Sequence, residues 1–357
     1  MLRPVGLSFA LIGSLALAGC FPSSMDDAAS ANYEADGESR SVHLDRADFE
    51  DEMQQIAENP TFEDAFRDLL GESSEGKVSS QLASGWLSLS LAQGIFDVEF
   101  DARDLAVDDS TLAQARREAA KPFVGQSGDL WVGLDVLDGF DEDFRNQLIA
   151  AEQRELALRD DLGGPTAIEE PTAAEVEEFA DANGELIDSC PTGKYVETIV
   201  VSTSERAETV LDELAAGEDF STLSADYGGG SGCVPEADEA APDPLLDAAL
   251  DAELDEVVGP FEGVGPDGNS VLYLLQVSDF ATAQLRQQRR ADVDNTRTAA
   301  FNAALDSIYE NLKVKTDPRY GSWDPEQATV VAPVAPAPRS QREPEPAAPE
   351  DAAFPNG

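Results

Sequence analysis

The sequence predicts an α+β protein with an all-helical first part and a mixed second part. Three observations carry this expectation. Apolar residues recur at helical spacing from about 45 to 160. The run Gly163-Gly164-Pro165 then breaks that period. Beyond it, short β-branched runs alternate with short helical ones in the order β-α-α-α-β-β.

In chain order, Arg3 precedes an apolar run from Val5 to Ala18 and the sequence Leu17-Ala18-Gly19-Cys20. The run is too short and too weakly flanked to span a bilayer, so residues 1–19 read as an export signal. Residues 20–40 are polar, small and acidic, which predicts a flexible tether. A helical domain follows over 41–165. Phe49, Met53 and Ile56 share one helix face, and Thr61 with Asp64 resembles a capping box ahead of Phe66, Leu69 and Leu70. Val78, Leu82, Trp86 and Leu89 form another stripe, and Phe144, Leu148 and Ile149 begin a helix that reaches about Leu158.

Thr172 restarts helix after Glu169-Glu170-Pro171 and opens the second domain, 172–280. "YVETIVVS" at 195–202 predicts a strand, Ser204 caps a helix that Gly217 ends, and Asp219 to Asp226 gives a shorter helix. The six residues "GGGSGC", 228–233, predict a tight turn. A helix over 244–250, the segment "EVVGPFEG" and the strand "SVLYLLQVSDF" complete the domain. Residues 281–313 predict one long helix with Phe301, Leu305, Ile308 and Leu312 on a single face. Its cations, Arg286, Arg289, Arg290 and Arg297 among them, point to docking on an acidic neighbour. The helical domain is the expected one, with 281–325 returning to it. The Pro- and Ala-rich end, 326–357, reads as a disordered tail.

With 72 acidic and 23 basic residues the net charge is −49, a field that repels nucleic acid and anionic headgroups. No nucleic-acid partner is expected. The one histidine, His43, stands at the tether's edge, and without a second histidine or a further free cysteine a zinc site or Cys/His dyad lacks its parts. The glycine run lacks the Lys-Ser/Thr of a phosphate loop. No metal or cofactor is expected.

The box Leu17-Ala18-Gly19-Cys20 resembles the cleavage site of bacterial lipoproteins, in which the cysteine receives a diacylglycerol and becomes the N-terminus. That likeness implies an extracytoplasmic protein held on the cell membrane through Cys20, since two acyl chains give stable anchoring. Plain secretion with a free Cys20 is the alternative. Either compartment permits disulfides, and the remaining pair, Cys190 and Cys233, can close a loop that stabilises by about 3–4 kcal/mol.

The segments "YVETIVVSTSERAETVLDELAAGEDFSTLS" (195–224), "GGGSGC" (228–233), "PLLDAALDAELDEVVGPF" (244–261) and "SVLYLLQV" (270–277) resemble, in order and spacing, a parvulin-type peptidyl-prolyl isomerase domain. The flanking helical segments resemble the chaperone part of SurA-like exported foldases. "DPRYGSWDP", 317–325, resembles the end of such lipoproteins in high-GC Gram-positive bacteria. The resemblance implies a β-α3-β2 isomerase module on a discontinuous helical chaperone domain. Unfolded or proline-containing exported polypeptides are the implied partners. A parvulin site surrounds the twisting X-Pro amide with two histidines and a Cys or Asp, and seats the proline ring in an apolar pocket. Here the histidine positions fall on Thr198 and Tyr273, the pocket positions on Leu245 and on Ala241 or Pro242, and the Cys/Asp loop is missing, with Asp226 as its remnant. The glycine run matches the family's Gly-Gly-Asp-Leu-Gly turn, with Cys233 beside it as the expected partner of Cys190.

Three functions follow from these departures: a foldase that holds exported chains with catalysis weak or lost, an active prolyl isomerase with an unusual site, or an envelope scaffold for one partner protein.

Overall fold

Asp36 and Gly37 both adopt positive φ, 53° and 81°, and turn the chain back on itself. The computed structural model describes residues 26–66, 78–125, 128–164, 168–236, 244–265 and 268–333. The strands β1 (Asp27–Ala35) and β2 (Glu38–Asp45) flank the Asp-Gly pair in a two-residue hairpin, for which Asp-Gly is a strong signal. Over 26–40 this corrects the tether expected for 20–40, of which 20–25 lie outside the described residues. The buried face of β1 is made of Ala29, Ala31 and Tyr33; the two alanines bury little area, so the composition resembles a linker while the alternation is that of a strand. His43 lies on β2, exposed, with Nδ1 3.5 Å from Asp27.

Helix α1 (Arg46–Glu58) begins where the Asp45 carboxylate accepts from the N–H groups of Ala47 and Asp48, and it buries Phe49, Met53 and Ile56. The next helix, α2 (Pro60–Ala65), is capped by Asn59 and not by the Thr61–Asp64 box. Asn59 Oδ1 accepts from Thr61 and Phe62, and its amide donates to Val136 O at 2.8 Å, a tertiary bond that sequence spacing does not reveal. Helix α3 (Ser80–Ala102) is apolar on most sides and forms the hub of this part. It packs against β1 and β2, where Gly94 admits the strand: a Cβ there would lie 2.5 Å from Val42 Cγ1. Helices α4 (Leu112–Ala120), α5 (Leu130–Asp138) and α6 (Glu142–Gly163) complete the helical layer.

A reciprocal Thr172–Glu175 capping box opens α7 (Ala173–Ala182), and α8 (Gly184–Asp188) leads into β3 (Lys194–Val201). Next come α9 (Ser204–Ala215), capped by Thr203 in place of Ser204, α10 (Phe220–Tyr227) and β4 (Gly230–Cys233). After them stand α11 (Pro244–Asp251), β5 (Val257–Val264) and β6 (Ser270–Asp279). The order is β-α-α-β-α-β-β, which corrects the β-α-α-α-β-β expectation: Gly228 turns, at φ 83°, Gly229 follows it, and Gly230–Cys233 form an edge strand. The four strands form one antiparallel sheet ordered β4-β3-β6-β5.

Helix α12 (Phe280–Tyr309) is followed by β7 (Lys313–Thr316), β8 (Ser322–Asp324) and β9 (Thr329–Val331). Two further corrections lie here. The long helix stops at Tyr309, short of 313, and the tail expected from 326 begins with a strand. Because β7 pairs with β1, the sheet β2-β1-β7 joins distant parts of the sequence, and the first part is not all-helical. Four arginines of α12 meet carboxylates: Arg286 at Glu170 and Asp255, Arg289 at Glu175, Arg290 at Asp219 and Arg297 at Asp160. Of these only Arg297 reaches α6; Phe301 packs against Phe96 and Leu158 of the helical layer, with the Arg159 guanidinium 5.2 Å from its ring centroid.

The molecule is thus mixed α+β. The expected export signal with Cys20, residues Leu69, Leu70, Ala241 and Pro242, and the expected tail from 334 onward lie outside the described residues. No helix among the described residues is long and apolar enough to cross a membrane.

Candidate functional site

Successive residues of β3 point to opposite faces of the four-stranded sheet. Ile199 and Val201, with Leu274 of β6, face α9 and α10 and pack with Ala207, Val210, Phe220 and Leu223. Thr198 stands on the other face. Since Thr198 opposes Leu275 and Val200 opposes Tyr273, the two positions expected to matter lie on one face as diagonal neighbours. That face carries α11, whose Ala249 packs with Leu275, Val277 and Val234. Lys194 fixes the end of this helix by donating to the carbonyls of Leu250 and Ala252, a cation at a helix C-terminus.

The hydroxyls on this face are engaged. Thr198 Oγ1 donates to Gly230 O at 3.1 Å and accepts from Gly230 N at 3.0 Å, so it serves both backbone groups of one β4 residue. The backbone carbonyl of Thr198 accepts from Ser224 Oγ at 2.8 Å. It also explains Gly229, where an added Cβ would stand 1.8 Å from that oxygen. Tyr273 donates its hydroxyl to Val264 O at 3.2 Å, and its ring lies along β5. A Cβ at Gly263 would come within 2.6 Å of Tyr273 Cε2 and 3.6 Å of Leu245 Cδ1, so Tyr273 and Leu245 converge on that glycine. The structure therefore gathers Thr198, Tyr273 and Leu245 on one face. Ala241 and Pro242 lie outside the described residues.

Asp226 is not part of this gathering. It sits on α10, across the sheet, where its carboxylate accepts from Arg117 Nε at 3.0 Å and lies 3.3 Å from Lys121 Nζ. The role of loop remnant is corrected accordingly: Asp226 belongs to the contact between the second part and α4. Sequence reasoning missed Arg117 altogether, because nothing local separates it from its neighbour Arg116, which pairs on the surface with Asp138.

Cys190 and Cys233 are joined by a disulfide, S–S 2.11 Å, which ties the segment before β3 to the end of β4. Around it Cys190 packs with Tyr195, Phe280 and Ala283. The strand formed by the glycine run is therefore pinned at both ends, by Thr198 at one and by the disulfide at the other.

A cleft of about 620 Å³ lies in the helical part between β2, α1, α3 and α6. Leu44, Phe49 and Phe144 line it together with Asp48, Glu52 and Asp143. Glu52 accepts from Trp86 Nε1 at 2.8 Å, and burial raises its pKa above the ordinary carboxylate range. Among the described residues no group of three or more His, Cys, Asp or Glu side chains is arranged to hold a metal ion.

No protein-family model matches the chain, and no curated protein is significantly similar to it.

Proposed function

We propose that the protein is an exported, membrane-anchored foldase that holds unfolded, proline-containing polypeptides, with a parvulin-like module whose isomerase chemistry is weak or lost. One observation carries the second half of this reading: both hydroxyls at the expected histidine positions are committed to neighbouring backbone. Isomerisation of an X-Pro bond faces a barrier of about 20 kcal/mol. Only hydrogen bonds that strengthen as the amide twists lower it. Thr198 would have to abandon the edge strand to supply one.

The first half rests on the lipoprotein-like Leu17-Ala18-Gly19-Cys20 box and the likeness to SurA-like foldases in the order of elements. The shared placement of Thr198, Tyr273 and Leu245 on one sheet face supports it, as does a cleft in the helical part whose walls mix aromatic and acidic groups. Such a surface suits transient capture of an extended chain, with the acidic field restraining non-specific binding.

The test is light scattering by a chemically unfolded client with the mature protein in molar excess. The expected outcome is suppressed aggregation; equal scattering with and without the protein contradicts the reading. An active isomerase is the second reading, and the exposed Tyr273 hydroxyl, which donates one bond and is also able to accept, favours it. It requires that Tyr273→Phe slow catalysed refolding.

A further inference from the structure

We infer that Arg117 is the latch of an interdomain seam: it holds the second part shut against the helical layer, and its removal opens the two along that seam. Arg117 lies on α4 with 0% of its surface exposed, flanked by the buried alanines Ala115, Ala119 and Ala120. Its guanidinium reaches three carboxylates of the second part at once: Nη1 donates to Glu213 Oε2 at 2.7 Å, Nη2 to Glu218 Oε2 at 3.1 Å and Nε to Asp226 Oδ2 at 3.0 Å. These acids come from α9, from the turn after it and from α10. One planar fork thus fixes three separate pieces of chain in the orientation that suits it.

Aromatic contacts complete the seam. Tyr227 donates to the second oxygen of Glu213 at 2.9 Å and stacks on Trp131 of α5, with centroids 4.5 Å apart and planes at 15°. Arg206 of α9 bonds Asp135 of α5 at 2.9 Å and lies over the Trp131 ring. Burial raises the pKa of Glu213, and Arg117 and the Tyr227 hydroxyl offset that rise in part.

A latch, more than simple glue, follows from the charge. Without Arg117, Glu213, Glu218 and Asp226 face one another in a chain of net charge −49, with Lys121 alone beside Asp226. Breaking a buried pair by removing one partner is far more damaging than replacing both. Loss of this single side chain therefore turns an attraction into a repulsion. Opening uncovers Trp131 and Tyr227, buried at 7% and 4% exposure, as two facing aromatic surfaces. That these would receive a client rests on the foldase reading; the latch itself does not.

The test compares the full mature chain with Arg117→Ala, with Arg116→Ala as a surface control, and with Arg117→Met combined with Glu213→Gln, Glu218→Gln and Asp226→Asn. Three readouts apply: the radius of gyration in solution, the Trp131 indole NMR resonance assigned by Trp131→Phe, and the rate of proteolysis at 164–172. For Arg117→Ala the expected result is a larger radius, a shifted Trp131 resonance and cleavage at least tenfold faster, with helix content and the Cys190–Cys233 bond retained. The neutral quadruple variant closes again, with cleavage within about twofold of wild type. If Arg117→Ala loses helix content as a whole, Glu218→Gln gives the milder opening, with cleavage two- to fivefold faster. Cleavage and a Trp131 resonance in Arg117→Ala and Glu218→Gln indistinguishable from Arg116→Ala would overturn the latch. Aggregation assays on the same variants report separately on client holding: an opened chain that holds no more client leaves the latch standing and argues against the foldase reading.

Discussion

The two faces of the β4-β3-β6-β5 sheet come from the same strands and are held in different ways. On one, Ile199, Val201 and Leu274 lie beneath α9 and α10 in a core continuous with the helical part, closed at its rim by Arg117. On the other, Thr198 and Tyr273 sit beside the short α11, half-buried, with hydroxyls bonded to the backbone of β4 and β5. The first face is built from apolar area and buried charge. The second adds hydrogen bonds beside glycines to a smaller apolar cluster in which Ala249 of α11 packs on Leu275 and Val277. The lesson is that the larger core lies on the closed face, while on the open face the hydroxyls of Thr198 and Tyr273 serve the scaffold itself.

Substitutions can break that contrast, and their expected effects run from large to small. Ile199→Ala removes a side chain of 0% exposure from the closed face and should cost about 3–4 kcal/mol in denaturant unfolding. A cost under 1 kcal/mol would show that the face is not a core. Replacing both Cys190 and Cys233 by serine should cost about 3 kcal/mol by the loop-closure argument, with β4 exchanging its amide hydrogens faster than β3 does. On the open face, Thr198→Val leaves the Gly230 N–H and C=O unpaired on an edge strand, where water can partly replace the hydroxyl. About 1 kcal/mol is expected, with client holding intact.

The smallest effect sharpens the account of the closed side's charge. Burial and the neighbouring carboxylates of Glu155 and Glu118 raise Glu152 on α6 to about 7. Because the folded value lies above the unfolded one, the protonated form favours the fold. Glu152's contribution is complete below its ordinary pKa and is lost as pH rises through about 7. Glu152→Gln should therefore raise the melting temperature at pH 8 and lose that advantage by pH 5; an advantage independent of pH would contradict the burial of that charge.

Much of the second part was legible from sequence because its strands are β-branched and its helices carry ordinary caps, such as Thr172 with Glu175 and Asp219 ahead of α10. The cysteine pairing followed from there being only two candidates once Cys20 was set aside. The misses have physical causes. Strand β1 carries two alanines on its buried face, and the small, acidic residues around Asp36-Gly37 give the hairpin the composition of a linker. Strand β4 begins inside a glycine run whose Gly229, just ahead of it, comes so close to Thr198 that any side chain would collide, and glycine runs ordinarily mark turns. The β2-β1-β7 sheet and the Arg117 cluster join residues about 100 or more positions apart, a separation that no local period records.

The most direct test is the proline-limited slow phase of refolding of a client whose aggregation the protein suppresses, followed with and without the mature chain. The account expects suppressed aggregation and a slow-phase rate unchanged within about twofold, both for the wild type and for Tyr273→Phe. A slow phase accelerated tenfold or more by the wild type and returned to the uncatalysed rate by Tyr273→Phe would contradict it and establish the open face as a working isomerase site.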